Sequence, residues 1–186
     1  NIWGADHHGH VARLKGAMDA VGLDGGRLDV VLIQLVRLMS EGKPVRMSKR
    51  TGKSITLRDL LDETSVDAAR FYFNLRQADS HFDFDLDLAV SQSAQNPVYY
   101  VQYAHARIES ILRVLRSEGG VSPMPENAKE LSILCEEEET DLIAKLAALP
   151  EEIAAAAAEY DPSRLTKYAI ETATLFHKFY NAHRVN

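Results

Sequence analysis

The dipeptide Asn96-Pro97 constrains this chain more than any other feature. The residue before a proline is pushed out of the helical region, while proline itself suits the first turn of a helix, so a helix has to begin here. The run that follows, from Val98 to Leu115, repeats apolar residues at Val101, Ala104, Ile108, Leu112 and Leu115, the stripe of an amphipathic helix. A loop with two glycines and two prolines spans 118–126. A second helix is predicted from about Lys129 to Leu149, interrupted by the acidic run Glu136 to Glu139, which is expected in water. Pro150 opens a short alanine-rich helix. Asp161-Pro162 reads as cap and first turn of a last one, with Leu165, Ala169, Thr172, Phe176, Phe179 and His183 along one side. Everything after Asn96 therefore reads as a helical bundle.

Before Asn96 the pattern is mixed. Asn1 to Gly4 reads as the end of a strand, followed by a turn and a helix with Val11, Leu14, Ala17, Met18 and Val21 at helical spacing and Gly22 placed to stop it. Asp29 to Arg37 is a Val/Leu/Ile-rich candidate for one buried strand, and Ser40-Glu41-Gly42-Lys43-Pro44 for a hairpin. Helices are predicted again near Asp59 to Glu63 and over Val66 to Arg76. From Asp79 to Leu88 acidic and apolar residues alternate, which predicts an extended segment, read as a packed linker. The fold class is thus mainly α with a small α/β N-terminal part.

The hairpin leads into the most unusual charge pattern in the chain. Net charge is −6, yet Lys43 to Arg58 carries six Lys or Arg and no Asp or Glu. Like charges this dense repel one another unless an anion neutralises them, and phosphate is the natural candidate. A solvated basic hairpin tip is the alternative, and the residues of this stretch alone leave both open. Asp6 is the second candidate. It lies just past a strand's carboxyl end, where open α/β sheets bind ligands and where a carboxylate can accept from both hydroxyls of a ribose. His7, His8 and His10 invite a metal reading, but adjacent histidines on a helix cannot face one ion and no cysteine lies nearby, so no metal is assigned.

In the helical half, residues 117–141 hold eight acidic groups against Lys129, whereas 164–184 hold four basic groups against Glu171. A nucleic acid would avoid the first and could use the second, where Tyr168, Phe176, Phe179, Tyr180 and Arg184 offer stacking faces; helical spacing assigns Phe176 and Phe179 to the core. No apolar run approaches the length needed to span a bilayer. The single cysteine, Cys135, and the lack of a signal-like start point to a cytoplasmic protein, and Asn1 suggests a piece of a longer product.

Gly4-Ala5-Asp6-His7-His8-Gly9-His10, followed by Arg46-Met47-Ser48-Lys49-Arg50, resembles the C-terminal half of a class I aminoacyl-tRNA synthetase site. Arg46 and Arg50 replace the first lysine and last serine of that family's Lys-Met-Ser-Lys-Ser loop, a departure that fits its arginyl branch. Asp67-Ala68-Ala69-Arg70-Phe71, Ala78 to Ala89, and Asn96 to His105 are similar to segments of the same branch. The resemblance implies the tail of a Rossmann-like catalytic domain with its signature loop over 1–53, a helical connector contacting the tRNA stem over 54–95, and a helical anticodon-binding domain over 96–186 that lacks its usual end. It implies ATP-dependent activation of L-arginine, with Mg²⁺ accompanying the ATP, and transfer to tRNA(Arg). Lys49 and Ser48 take the catalytic roles; Gly4, Asp6, His7, Met47 and Lys49 hold ATP; Tyr99, Tyr103, Tyr180 and Arg184 contact tRNA. His7-His8-Gly9-His10 mimics the family's other signature, but it sits too close to the loop to be that element. The chain by itself is therefore expected to be inactive, and to be a monomer with no membrane partner. The alternative is a free-standing tRNA-binding helical module with a vestigial catalytic stub.

Overall fold

The computed structural model describes residues 1–45, 55–117 and 131–185; the basic stretch from Arg46 to Ser54, with Met47, Ser48 and Lys49, lies outside the described residues, as does the expected loop near 118–126. The chain is mainly helical with a small sheet part. By its contacts it divides into two compact units, one of residues 1–90 with 159–163 and one of 91–158 with 164–186.

In the first unit, β1 (Ile2–Gly4) is followed by one 3-10 turn (Ala5–His7), helix α1 (His8–Ala20), and β2 (Val31–Ile33), which pairs parallel with β1 in the register Ile2↔Val31. Helix α1 stops where the sequence predicts. Gly22 takes φ +80°, the Gly22 N–H donates to Asp19 O at 3.1 Å, and the Leu23 N–H reaches back to Met18 O at 2.8 Å. This is the two-bond closure that favours glycine after a helix.

The single strand expected over 29–37 is two strands in two sheets. After β2 the backbone changes partner, with the Gln34 N–H donating to Ala78 O at 2.8 Å, and β3 (Val36–Ser40) then pairs elsewhere. Its neighbours are β4 (Lys43–Pro44), antiparallel across the Glu41-Gly42 turn, and β5 (Phe82–Asp85), parallel in the register Val36↔Phe82. The turn residues have φ +51° and +70°, the two-residue hairpin geometry whose twist matches the strands it joins.

β5 corrects the linker reading of the Asp79–Leu88 segment. Its extended backbone is as expected, but it is a strand at the heart of the unit rather than a surface connection. Phe84 is fully buried and meets the rings of Tyr72, Phe73 and Phe82 at 5.1, 5.4 and 6.0 Å. Tyr72 and Phe73 come from α3 (Val66–Phe73), against which α2 (Leu57–Glu63) packs, and the short α4 (Leu86–Val90) follows the strand and also packs on α3. Helix α2 begins with a reciprocal cap between Thr56 and Asp59, and α3 ends at Phe73, short of the predicted Arg76, where the Asn74 N–H closes onto Phe71 O at 3.0 Å. Burial among the aromatic rings pushes the Tyr72 hydroxyl up to about 12, with the Asp85 carboxylate adding to it.

In the second unit, α5 (Pro97–Ser117) starts at the predicted dipeptide. Buried Asn96 accepts from the Val98 N–H at 3.1 Å and donates to Ser91 O at 2.8 Å, so both ends of its amide are used. The inward face of α5 is turned slightly from the expected stripe: Val98 and Ala104 are buried and Val101 and Ile111 half-buried, while Ile108 and Leu115 lie at the exposed margin. Helix α6 (Glu137–Ala147) revises the second-helix prediction. The expected start at Lys129 lies outside the described residues, and the break falls over 132–136; the acidic run is the first turn of α6, with Glu136 and Glu139 forming a reciprocal cap and the carboxylates placed at the positive end of the helix dipole. Helix α7 (Leu149–Glu159) and helix α8 (Ser163–Ala182) are joined by a turn in which Asp161 accepts from the Ser163 N–H at 3.0 Å. Ala104, Ala173 and Phe176 centre the core of this unit, so Phe176 is core as predicted.

Candidate functional site

The N-terminal candidates sit where a β-α-β unit puts its ligands, past the carboxyl end of β1. Gly4 is extended, and a Cβ there would come within 2.6 Å of an Asp6 carboxylate oxygen, so the missing side chain is what lets that carboxylate fold back over the strand end. Asp6 and His7 are exposed and 3.6 Å apart, and His8 Nδ1 lies 3.1 Å from Ala5 O. The structure therefore brings Gly4, Asp6 and His7 together. Among the described residues no three His, Cys, Asp or Glu converge as metal ligands. The chain enters the basic stretch from a fixed root: the Val45 N–H donates to Leu38 O at 2.8 Å, extending the hairpin ladder to the last described residue before it.

The helical unit builds a second site from two facing helices. Tyr99, Tyr103 and Arg107 follow one another at four-residue spacing on α5, and the Tyr99 and Tyr103 rings stack at 6.2 Å with 16° between their planes. The Arg107 guanidinium lies over the Tyr103 ring at 4.9 Å and over the Tyr180 ring of α8 at 4.5 Å, and it donates to the Tyr103 hydroxyl. Tyr103, Arg107 and Tyr180, with Ser110 and Val114, line an open groove of about 320 Å³. His177 supports the groove from below, its ring 5.0 Å from Tyr100 and 5.7 Å from Tyr103. Its Nε2 is buried without a hydrogen-bond partner, and burial, reinforced by the nearby Arg107 charge, pushes its pKa below the ordinary value of 6.5.

Of the four residues singled out for tRNA, the structure joins Tyr99, Tyr103 and Tyr180, whereas Arg184 is exposed and outside this cluster. Arg107 and His177 were not foreseen. Arg107 lay two residues past the quoted Asn96–His105 segment, and its i, i+4, i+8 spacing from Tyr99 and Tyr103 was the signal that could have found it. The other α8 cations also stand differently from the sequence picture of an open basic surface. Lys178 meets Glu137 and Asp141 of α6 at 3.3 and 3.8 Å, Arg164 meets Glu152 at 3.0 Å, and Lys167 meets Glu171 at 3.9 Å.

Residues 101–186, the part that carries the groove, match the DALR anticodon binding domain family. Over 185 residues, and so over its whole length, the chain is 62% identical to the arginine-tRNA ligase of Caldanaerobacter subterraneus subsp. tengcongensis and 56% identical to that of Desulforudis audaxviator. Along its whole length the chain is thus similar to one stretch of arginine-tRNA ligases. It spans about a third of the length of these curated relatives, 33% in each case. A crystal structure described as an arginyl tRNA synthetase, from Campylobacter jejuni, superposes on 99% of the chain with a TM-score of 0.83 and 32% identity, using 39% of its own length. The Thermus thermophilus arginyl-tRNA synthetase shares the fold over 99% of the chain and 33% of its own, at a TM-score of 0.72 and 23% identity. No helix among the described residues is long and apolar enough to cross a membrane.

Proposed function

We propose that this chain supplies the ribose-side and signature-loop half of an ATP site, together with the tRNA-binding part, of an arginine-tRNA ligase acting on ATP, L-arginine and tRNA(Arg). The observation that carries the reading is sequence similarity to arginine-tRNA ligases that runs unbroken from the Gly4-Ala5-Asp6 turn through the anticodon-binding region. In this reading β1, α1 and β2 are the tail of a Rossmann-like sheet, which their parallel pairing through a helix supports. Asp6 holds the ribose hydroxyls, with Gly4 and His7 beside the adenosine. Lys49, with Ser48 and Met47 placing the loop, meets the pyrophosphate oxygens as negative charge builds on them. A cation that engages only then lowers the barrier without tightening the ground state. Mg²⁺ travels with the ATP as part of the substrate. At the helical end, the groove at Tyr103, Arg107 and Tyr180 receives an unstacked base of the anticodon loop, with Tyr99 extending the stacking surface and Arg184 contacting phosphate.

The chain by itself does not activate arginine in this reading, because two thirds of the length of its relatives lies outside the matched stretch. The test is arginine-dependent ATP-pyrophosphate exchange. A protein of the relatives' full length carrying this sequence exchanges, and Lys49→Ala lowers kcat by about 10²- to 10³-fold while leaving tRNA(Arg) affinity in place. Unchanged exchange in that variant, or exchange by the isolated chain, overturns the assignment. A second reading, a tRNA-binding module with a vestigial catalytic stub, is favoured by the groove lying wholly within the helical unit. It predicts tRNA(Arg) binding with no exchange even in the full-length context.

A further inference from the structure

The hairpin that leads into the basic stretch has an unexplained weakness. Its two-residue turn needs left-handed backbone at both positions, yet the first is Glu41, at φ +51°, where glycine, asparagine or aspartate is the usual choice. The sequence of the turn does not hold this geometry, and what holds it comes from 46 residues away. The Glu41 N–H donates to an Asp87 carboxylate oxygen at 2.5 Å, and the Ser40 hydroxyl reaches the two Asp87 oxygens at 3.2 and 3.4 Å.

Asp87 is itself well fixed. β5 runs parallel to β3 as far as Met39↔Asp85, and the Asp85 carboxylate accepts from the Leu88 N–H at 2.9 Å, starting α4 so that Asp87 falls in its first turn beside the hairpin tip. Two residue pairs down the same strands, Arg37 grips Asp83 through two hydrogen bonds of 2.7 and 3.0 Å. Buried Phe84 and Ala89 anchor the segment from behind. The aspartates that alternate through this stretch therefore have separate tasks, and that of Asp87 is the hairpin turn.

We propose that Asp87 is a positioning residue for the root of the basic stretch: by accepting from the Glu41 N–H and the Ser40 hydroxyl it locks the hairpin turn, and with it the ladder that ends at Val45. The inference rests on the reading of that stretch as a polyphosphate clamp. A clamp that must meet a transferring phosphate within a fraction of an ångström depends on the rigidity of its root, and a displacement of about 1 Å costs on the order of 10²-fold in rate.

The experiment has two arms. In the isolated chain, amide hydrogen exchange at Glu41 and Gly42 is compared between the parent, Asp87→Ala and Asp87→Asn. Asparagine keeps an acceptor oxygen, so exchange rises about tenfold or more in Asp87→Ala and little in Asp87→Asn. In a full-length protein carrying this sequence, Asp87→Ala lowers kcat for ATP-pyrophosphate exchange by about ten- to a hundredfold with KM for arginine unchanged. Asp87→Asn recovers most of the rate, and adding Glu41→Gly to Asp87→Ala also recovers it, since glycine adopts the turn without help. That second-site recovery separates positioning from general loss of fold. Unaltered amide exchange in Asp87→Ala overturns the inference, as does a loosened turn with unchanged kcat, or failure of the glycine to rescue. A parent protein without exchange activity instead removes the clamp reading and the positioning role with it, and the amide arm then decides the locked turn by itself.

Discussion

Arg107 concentrates the chemistry of the helical unit in one side chain. Its guanidinium lies within 5 Å of two tyrosine ring centres, so it is held and oriented in the wall of the groove. Truncation to alanine removes a charge and unclamps Tyr103 and Tyr180 together. Arg107→Ala is expected to weaken tRNA(Arg) binding by about 1–3 kcal/mol, the scale of one stacked base, with Arg107→Lys recovering only part because an ammonium cannot lie flat between the rings. Arg184→Ala, outside the cluster, is expected to cost well under half of that. Titration of labelled tRNA at fixed salt checks the order, and equal losses at the two positions would remove the groove from the interface. His177 gives the same site a pH dependence of definite sign. Its folded pKa is lowered, so below the ordinary value of 6.5 the unfolded chain takes up a proton that the folded one refuses. Stability of the helical unit is therefore full above about pH 6.5 and declines as pH falls through the window just below it. His177→Asn should flatten that decline in urea titrations between about pH 5 and 7, and a slope that survives the substitution assigns it to another group.

At the scale of elements, β5 matters most. Phe84 is the largest fully buried side chain among the described residues, and three aromatic rings close on it. Phe84→Ala is expected to destabilise the first unit by about 3–5 kcal/mol, read as a shift in the urea midpoint of a probe in that unit, whereas Phe82→Ala, at a half-buried position, should cost less. Equal effects would mean that the strand is not seated as described. The same strand marks the limit of what the sequence discloses. Local signals were readable because local physics decides them: the Asn96-Pro97 start, the Gly22 stop, the hairpin at 40–44 and the Asp161 cap are all where the pattern put them. Pairing between β3 and β5 is a contact across 46 residues, and an alternating acidic segment is equally consistent with a linker or with an edge strand whose aspartates face outward. The split of residues 29–37 into two strands was hidden for the same reason, since only the partner at Ala78 tells Gln34 to leave one sheet for another. At the candidate sites, residue types were legible but groupings were not: Gly4, Asp6 and His7 are neighbours in sequence and so in space, whereas Arg107 meets Tyr180 only because α5 and α8 face each other.

Across the whole molecule, charge decides how nucleic acid can approach. The chain carries net −6, and the cations that once suggested an open basic face on α8 are largely answered by α6 and α7. A hydrogen bond to Glu137 heads the causes that raise the Lys178 pKa, with the charges of Glu137, Glu138 and Asp141 also favouring its protonated form. A cation paired in this way has few counterions to release when a phosphate arrives, and it cannot serve the phosphate without leaving its partner. Binding of tRNA(Arg) by the helical unit is therefore expected to lean on stacking at the groove, with a shallow dependence on salt: a slope of log K against log salt of about −1 to −3, not the steeper value that all the basic side chains of the unit would give. Glu137→Gln tests the account directly. Removing that carboxylate frees Lys178 from its shortest ion pair, so the slope should steepen by up to about 0.7–0.9, one phosphate contact, with affinity rising at low salt. If the slope is unchanged by Glu137→Gln while Arg107→Ala weakens binding, Lys178 faces away from the RNA and the groove acts without it. If the parent slope is already steep, the phosphate backbone, not the aromatic groove, holds the tRNA.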